Sequence, residues 1–109
     1  MLLKSWRLLG FLAIGTVAFA AQSNNDVIET GNTLFLQKCA FCHGRDAGGG
    51  ETGPDLTRSD LVKADVNGDK IGLVIRNGRP EKGMPNWTGV FSDEQFAQIL
   101  SFLHTVQTR

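Results

Sequence analysis

Cys39, Cys42 and His43 fall within one five-residue run, Cys39-Ala40-Phe41-Cys42-His43. Two thiols three positions apart share one side of a helical turn. From there each can add to one of the two vinyl groups of a haem, and the adjacent imidazole then points at the iron from the same side. C-x-x-C-H is the haem attachment signature, and without the histidine a C-x-x-C pair says far less. Two other chemistries compete. A redox-active dithiol uses C-x-x-C, but on a βαβ scaffold that this chain lacks. A structural disulfide is open to any pair of cysteines in an exported chain. With only two cysteines, one copy of the chain cannot build a four-thiolate zinc or iron–sulfur site.

A haem iron in an electron carrier needs a sixth ligand. Met84 and His104 are the candidates. Met84 sits in the loop run Lys82-Gly83-Met84-Pro85, well downstream of His43, where a loop can wrap the ring edge and approach its far face. Read alone, it is a gap-filling thioether; a haem motif elsewhere in the chain favours the ligand. His104 falls near the end of the last helix, at the polar boundary of its apolar stripe, and reads alone as a surface histidine. A ligating histidine also needs its other ring nitrogen held by an acceptor. The carbonyl of Pro54, in the turn that follows the glycine-rich loop, is one candidate; the alternative is that Gly53-Pro54 is only a turn.

The chain has 109 residues, which suggests one domain. Its start differs from the rest. Lys4 and Arg7 precede an uncharged, mostly apolar run from Leu8, and Ala18-Phe19-Ala20 offers small residues at both recognition positions of a cleavage site. That order is a secretory signal over residues 1–20, leaving residues 21–109 as the folded domain. The uncharged stretch is shorter than the roughly 20 residues of a membrane span, so membrane contact is expected only if the segment is uncleaved. Its removal leaves 9 Lys+Arg against 11 Asp+Glu. A slightly acidic domain argues against a nucleic-acid partner. A domain this small often needs a staple, and a buried haem would be one.

The elements that must position these residues are helical. Asn24 or Asn25 can cap a first helix over about residues 25–39, followed at helical spacing by Val27, Gly31, Leu34, Phe35 and Lys38. Gly31 inside a helix costs about 1 kcal/mol relative to alanine, which close approach of another helix would offset. Residues 44–53 read as loop and residues 59–63 as one helical turn. Ile71, Val74 and Ile75 mark a helix over residues 69–77, ended by Asn77-Gly78. Residues 79–89 read as extended loop. Ser92 and Gln95 form a capping box for the last helix, with Phe96, Ile99, Leu100, Leu103 and Val106 as its apolar stripe. No alternating strand pattern appears. The expectation is an all-α domain of three main helices joined by long loops.

From about Gly31 to Val106 the chain resembles the cytochrome c family in its small bacterial monohaem form. That family follows its haem-binding run with a Gly-Pro-x-Leu turn, a Met-Pro loop and a C-terminal helix; Gly53-Pro54-Asp55-Leu56 and Met84-Pro85 match in order. The resemblance implies one haem c held through Cys39 and Cys42, with His43 and Met84 as axial ligands. It also implies that the Pro54 carbonyl holds the His43 ring and that Leu56 packs on the haem. First and last helices would cross at Gly31 and Phe35 on one side and Phe102 on the other, with no tyrosine in the chain to supply a hydroxyl contact. Phe35, Leu56 and Ile99 are expected to bury the haem. Arg79 and Trp87 are candidate donors to its propionates.

The function implied is one-electron transfer in the periplasm by a monomer, not enzymic catalysis. The alternative is a haem enzyme or ligand sensor with a displaceable sixth ligand. Arg76, Arg79, Lys82 and Lys38, interrupted by Glu81, would form a basic rim facing an acidic redox partner. The run from Arg76 to Trp87 is similar to carriers associated with quinoprotein dehydrogenases. That makes such a dehydrogenase a candidate donor, with an oxidase as acceptor.

Overall fold

Ser23 starts the first helix. In the computed structural model, which describes residues 23–108 and Gly15 before them, its backbone is extended and its Oγ accepts the Asp26 N–H at 3.2 Å. Ser23 takes the cap in place of Asn24 or Asn25 because its hydroxyl reaches the donor three residues on, which puts both asparagines inside the first turn. The signal expected over residues 1–20 lies, but for Gly15, outside the described residues.

Helix α1 spans Asn24–Lys38 and passes with barely a break into α2, Ala40–His43. Then come α3, Asp60–Ala64, and α4, Ile71–Asn77. A 3-10 turn, Pro80–Lys82, interrupts what the sequence presents as plain extended loop. Helix α5, Asp93–Thr105, carries the capping box in full: the Ser92 side chain accepts from Gln95, and the Gln95 side chain accepts from the Ser92 N–H. Among the described residues there is no strand, only an isolated antiparallel bridge between Arg79 and Met84. The architecture is all-α, as the periodicities require, with α2, α3 and the 3-10 turn as short additions to the three main helices.

The core forms where α1 crosses α5. A side chain at Gly31 would run into the backbone carbonyl of Gln98, so only glycine lets the two helices approach this closely. Beside that contact Phe35 and Phe102 pack with ring centroids 5.2 Å apart. Phe35 is 1% exposed and Phe102 6%. Burying each such ring contributes about 1.5–3 kcal/mol, which outweighs the helical cost of the glycine. Val62, Ile71, Ile75, Ile99 and Leu103 extend the same core toward α3 and α4.

Two polar ties hold the remaining loops. The Asp65 carboxylate is buried and accepts N–H bonds from Gly68, Lys70 and Ile71 at 2.6–2.8 Å, with His104 Nε2 at 3.4 Å. Burial pushes its pKa up, but these donors outweigh it and hold the group below the usual carboxylate range. Gln107 just beyond α5 donates to the carbonyls of Leu56 and Leu103 and accepts from the Ser59 N–H. It thereby fastens the segment before α3 to the end of α5.

Candidate functional site

The break between α1 and α2 is where the chemistry sits. Cys39 ends α1 and caps α2; the N–H groups of Cys42 and His43 both bond back to its carbonyl, at 3.2 and 3.0 Å. This turn brings both sulfurs and the His43 imidazole to the edge of one cleft. Both cysteines are free thiols. Burial, and then the neighbouring Cys42, push the Cys39 thiol up to about 11.

His43 is aimed by a single contact. Its Nδ1 lies 3.0 Å from the Pro54 carbonyl oxygen. A carbonyl can only accept, so Nδ1 carries the proton and Nε2 is left with its lone pair for a metal. The contact depends on the residue before. A side chain at Gly53 would strike the Cys42 carbonyl and crowd His43 Nδ1. Gly53 therefore lets the 53–54 turn lie directly under the motif, and its signal in the sequence is no more than the Gly-Pro pair.

The cleft holds about 820 Å³, within the roughly 300–1,000 Å³ of small-molecule and cofactor sites. Its walls are mainly apolar and come from every helix: Phe35 of α1, Leu61 and Val62 of α3, Ile71 and Ile75 of α4, and Ile99 and Leu103 of α5, with Leu56 between α2 and α3. Met84 borders the same cleft, packs against the core, and is pinned through its backbone. The Arg79 N–H donates to the Met84 carbonyl at 2.9 Å, and the Met84 N–H donates to the Arg79 carbonyl at 3.0 Å, closing the 3-10 turn between them. This pairing gives Arg79 a backbone role that its side-chain chemistry does not suggest. Trp87, also at the cleft, stacks on Phe91 at 5.4 Å, and its backbone N–H donates to the Ile75 carbonyl at 3.1 Å.

The structure thus brings Cys39, Cys42, His43, Pro54, Leu56, Arg79, Met84 and Trp87 to one cleft. It separates two others. His104 lies in a different hollow, against Asp65, so of the two sixth-ligand candidates only Met84 borders the cleft. Arg76 leaves the expected basic rim: it pairs with Asp93 at 3.2 Å and covers the Phe96 ring at 4.2 Å. Lys38, Arg79 and Lys82 remain at the cleft, where Asp55 is the one acidic neighbour.

These residues fit a covalently held haem. Two thiols and an imidazole with a free nitrogen share one turn, a thioether borders the same space, and the walls are apolar. A bare dithiol or disulfide would need none of the last three features. No helix among the described residues is long and apolar enough to cross a membrane.

Comparison with known proteins gives the same answer. Residues 26–103 match the family model described as cytochrome c oxidase, cbb3-type, subunit III. The chain is 33% identical to a cytochrome c55X of Stutzerimonas stutzeri, over 80% of this chain and 74% of that one. It is 33% identical to the cbb3-type cytochrome c oxidase subunit FixPc of Rhizobium leguminosarum bv. viciae, covering 77% of this chain but spanning only 29% of that subunit. Among solved structures, the cytochrome cL of Methylophaga aminisulfidivorans MPT superposes with a TM-score of 0.60 at 25% identity, over 76% of this chain and 57% of that one.

Proposed function

The chain belongs to the cytochrome c family, with its all-α fold and covalently attached haem c, and from that premise we propose that it is an exported, monomeric carrier of single electrons whose iron is ligated by His43 and Met84. The observation that carries the reading is the shared cleft: the C-x-x-C-H turn and Met84 border one apolar space, and His104 does not. The haem, when bound, supplies a one-electron couple.

The protein's own residues do the rest. Cys39 and Cys42 form the thioethers. The Pro54 carbonyl holds the His43 tautomer, and the resulting hydrogen bond makes Nε2 a stronger donor. The Arg79 backbone fixes Met84. Methionine ligation favours the reduced state and raises the potential. Phe35, Leu56 and Ile99 exclude water and disfavour the extra positive charge of the oxidised state. Arg79 and Trp87 border the cleft where the propionates would lie. His43 and Met84 together would hold the iron and leave no position for a substrate, which would separate a carrier from a haem enzyme or ligand sensor.

Residues 1–20 act as a secretion signal and residues 21–109 as the domain delivered to the periplasm. The partners are redox proteins. The cbb3-type oxidase subunits among the relatives support an oxidase as acceptor, and the similarity of the residue 76–87 region to quinoprotein-linked carriers supports such a dehydrogenase as donor.

Expression with haem-attachment machinery tests the reading. The purified protein should exceed the mass of the bare 21–109 chain by one haem. Its spectrum should be low-spin in both oxidation states, and Met84→Ala should abolish that low-spin state. A bare-chain mass, or a high-spin wild-type spectrum with ready carbon monoxide binding, contradicts it.

A further inference from the structure

The Pro54 carbonyl aims His43, and that carbonyl must itself be held. Pro54 has no N–H to anchor it, so the residues that follow do the holding. The Leu56 N–H donates to the Ala47 carbonyl at 2.7 Å. The Asp55 Oδ1 accepts the Thr57 N–H at 2.8 Å and the Thr57 hydroxyl at 2.6 Å. These bonds stay within the segment that follows the motif and give the turn its shape. Its position comes from farther off. Gln107 Nε2 donates to the Leu56 carbonyl at 2.6 Å and to the Leu103 carbonyl at 2.9 Å, while its Oε1 accepts the Ser59 N–H at 3.1 Å. Thr108 donates both its N–H, at 2.6 Å, and its hydroxyl, at 3.1 Å, to the Thr57 carbonyl. Leu56 and Thr57, just after Pro54, are thus fastened to residues 51 positions along the chain.

These ties close a ring. His43 ends α2, which continues α1, and α1 seats on α5 where Gly31 meets Gln98. The chain runs from α5 into Gln107 and Thr108, these hold residues 56 and 57, and Pro54 returns to His43 at 3.0 Å. Where the Pro54 oxygen stands against the imidazole is therefore set by two contacts of α5, one in its middle and one just past its end. With the second contact gone the ring is open, and the 54–57 turn can shift and draw the carbonyl away from Nδ1. A close bond there makes the imidazole a stronger donor to a metal, which favours oxidised iron. A longer bond favours reduced iron, since hydrogen bonding around the axial ligands is one of the protein's levers on potential.

We infer that Gln107 and Thr108 are positioning residues for the redox centre: by clamping Leu56 and Thr57 to α5 they hold the Pro54 carbonyl on His43 Nδ1 and keep the reduction potential below the value it would take without them. This rests on the reading of His43 as an axial ligand, and it adds a second role to a tie that otherwise serves stability. The two roles can be separated. A lost stabilising contact lowers the Tm wherever it lies, whereas only a shift at the Pro54 carbonyl reaches the Nδ1 proton.

The test uses holoprotein with its haem covalently attached. Spectroelectrochemistry reads the potential, and proton NMR of the ferrous state reads the His43 Nδ1 proton. Gln107→Leu should raise the ferrous-to-ferric ratio at fixed ambient potential by about threefold, roughly 30 mV for one electron. Its Nδ1 proton should move upfield and exchange faster with solvent. Thr108→Val removes one hydroxyl and keeps the N–H, so it should move the same proton in the same direction by less; if Gln107→Leu does not fold, Thr108→Val decides alone. Ser92→Ala is the control. It removes the cap of α5, away from the cleft, and should lower the Tm while leaving the potential and the Nδ1 proton at their wild-type values. A Gln107→Leu variant with a lower Tm but an unmoved potential and Nδ1 proton overturns the proposal. So does a potential that falls, and so does Ser92→Ala moving both readouts equally. A high-spin wild type, or one with no Nδ1 proton from an axial histidine, would overturn the ligation reading, and the redox role of the clamp with it.

Discussion

Gly31→Ala sets two magnitudes against each other. In an isolated helix alanine is favoured over glycine by about 0.8–1.0 kcal/mol, so α1 alone would gain. In the folded protein the new methyl would meet the Gln98 carbonyl oxygen and carbon, and the Phe102 Cβ at 3.0 Å. None of these is the tip of a flexible side chain, so relief requires α1 and α5 to separate. Overpacking costs about 1–3 kcal/mol, and a clash with main-chain atoms that cannot be relieved falls at the upper end, about 2–3 kcal/mol; separation also loosens the 5.2 Å Phe35–Phe102 contact. The net loss is about 1–2 kcal/mol after the helical gain. At roughly 4–8 °C per kcal/mol for a domain of this size, the Tm should fall by about 5–15 °C. Calorimetry of the holoprotein reads it directly, with circular dichroism of a peptide covering residues 23–39 as the control. The peptide should gain helix from the substitution that destabilises the protein. A Tm unchanged or raised would refute the crossing geometry.

Asp65→Asn should destabilise the protein at neutral pH and flatten its acid unfolding. The Asp65 pKa is depressed in the fold, so its contribution is complete above the unfolded value of about 3.9 and is lost as pH falls through the folded value. Circular dichroism across an acid titration checks this; equal slopes for wild type and variant would count against it. Gln107→Leu removes three hydrogen bonds, two that tie the end of α5 to the segment before α3, through Leu56 and Ser59, and one to Leu103 within α5. It should cost about 2 kcal/mol and speed hydrogen exchange at the Ser59 amide; unchanged exchange there would show that the tie is idle. Cys42→Ser should leave one thioether, with the haem still bound after denaturation but shifted in its reduced spectrum. Complete loss of covalent haem would show that Cys39 alone cannot hold it.

The legible parts of this chain were those with a local cause. The α5 capping box, the apolar period of α4 and α5, and the C-x-x-C-H turn each follow from residues within a few positions of one another. Gly31 was legible as an anomaly, since a glycine within a helix needs a reason, and Gln98 supplies it from 67 positions away. What stayed hidden depends on backbone and long-range contacts. The Arg79–Met84 pairing uses main-chain groups that every residue possesses. Gln107 carries no pattern that points to Leu56 and Ser59. Arg76 looked like its basic neighbours until α5 brought Asp93 and Phe96 to it.

Proton NMR of the ferrous holoprotein tests the axial assignment most directly. A methyl group bound over the face of a haem lies in its ring current. The account predicts a three-proton Met84 signal displaced far upfield of the ordinary methyl envelope, absent in Met84→Ala, with the His104 ring protons at ordinary positions. A Met84 methyl inside the ordinary envelope, with His104 displaced in its place, would contradict it.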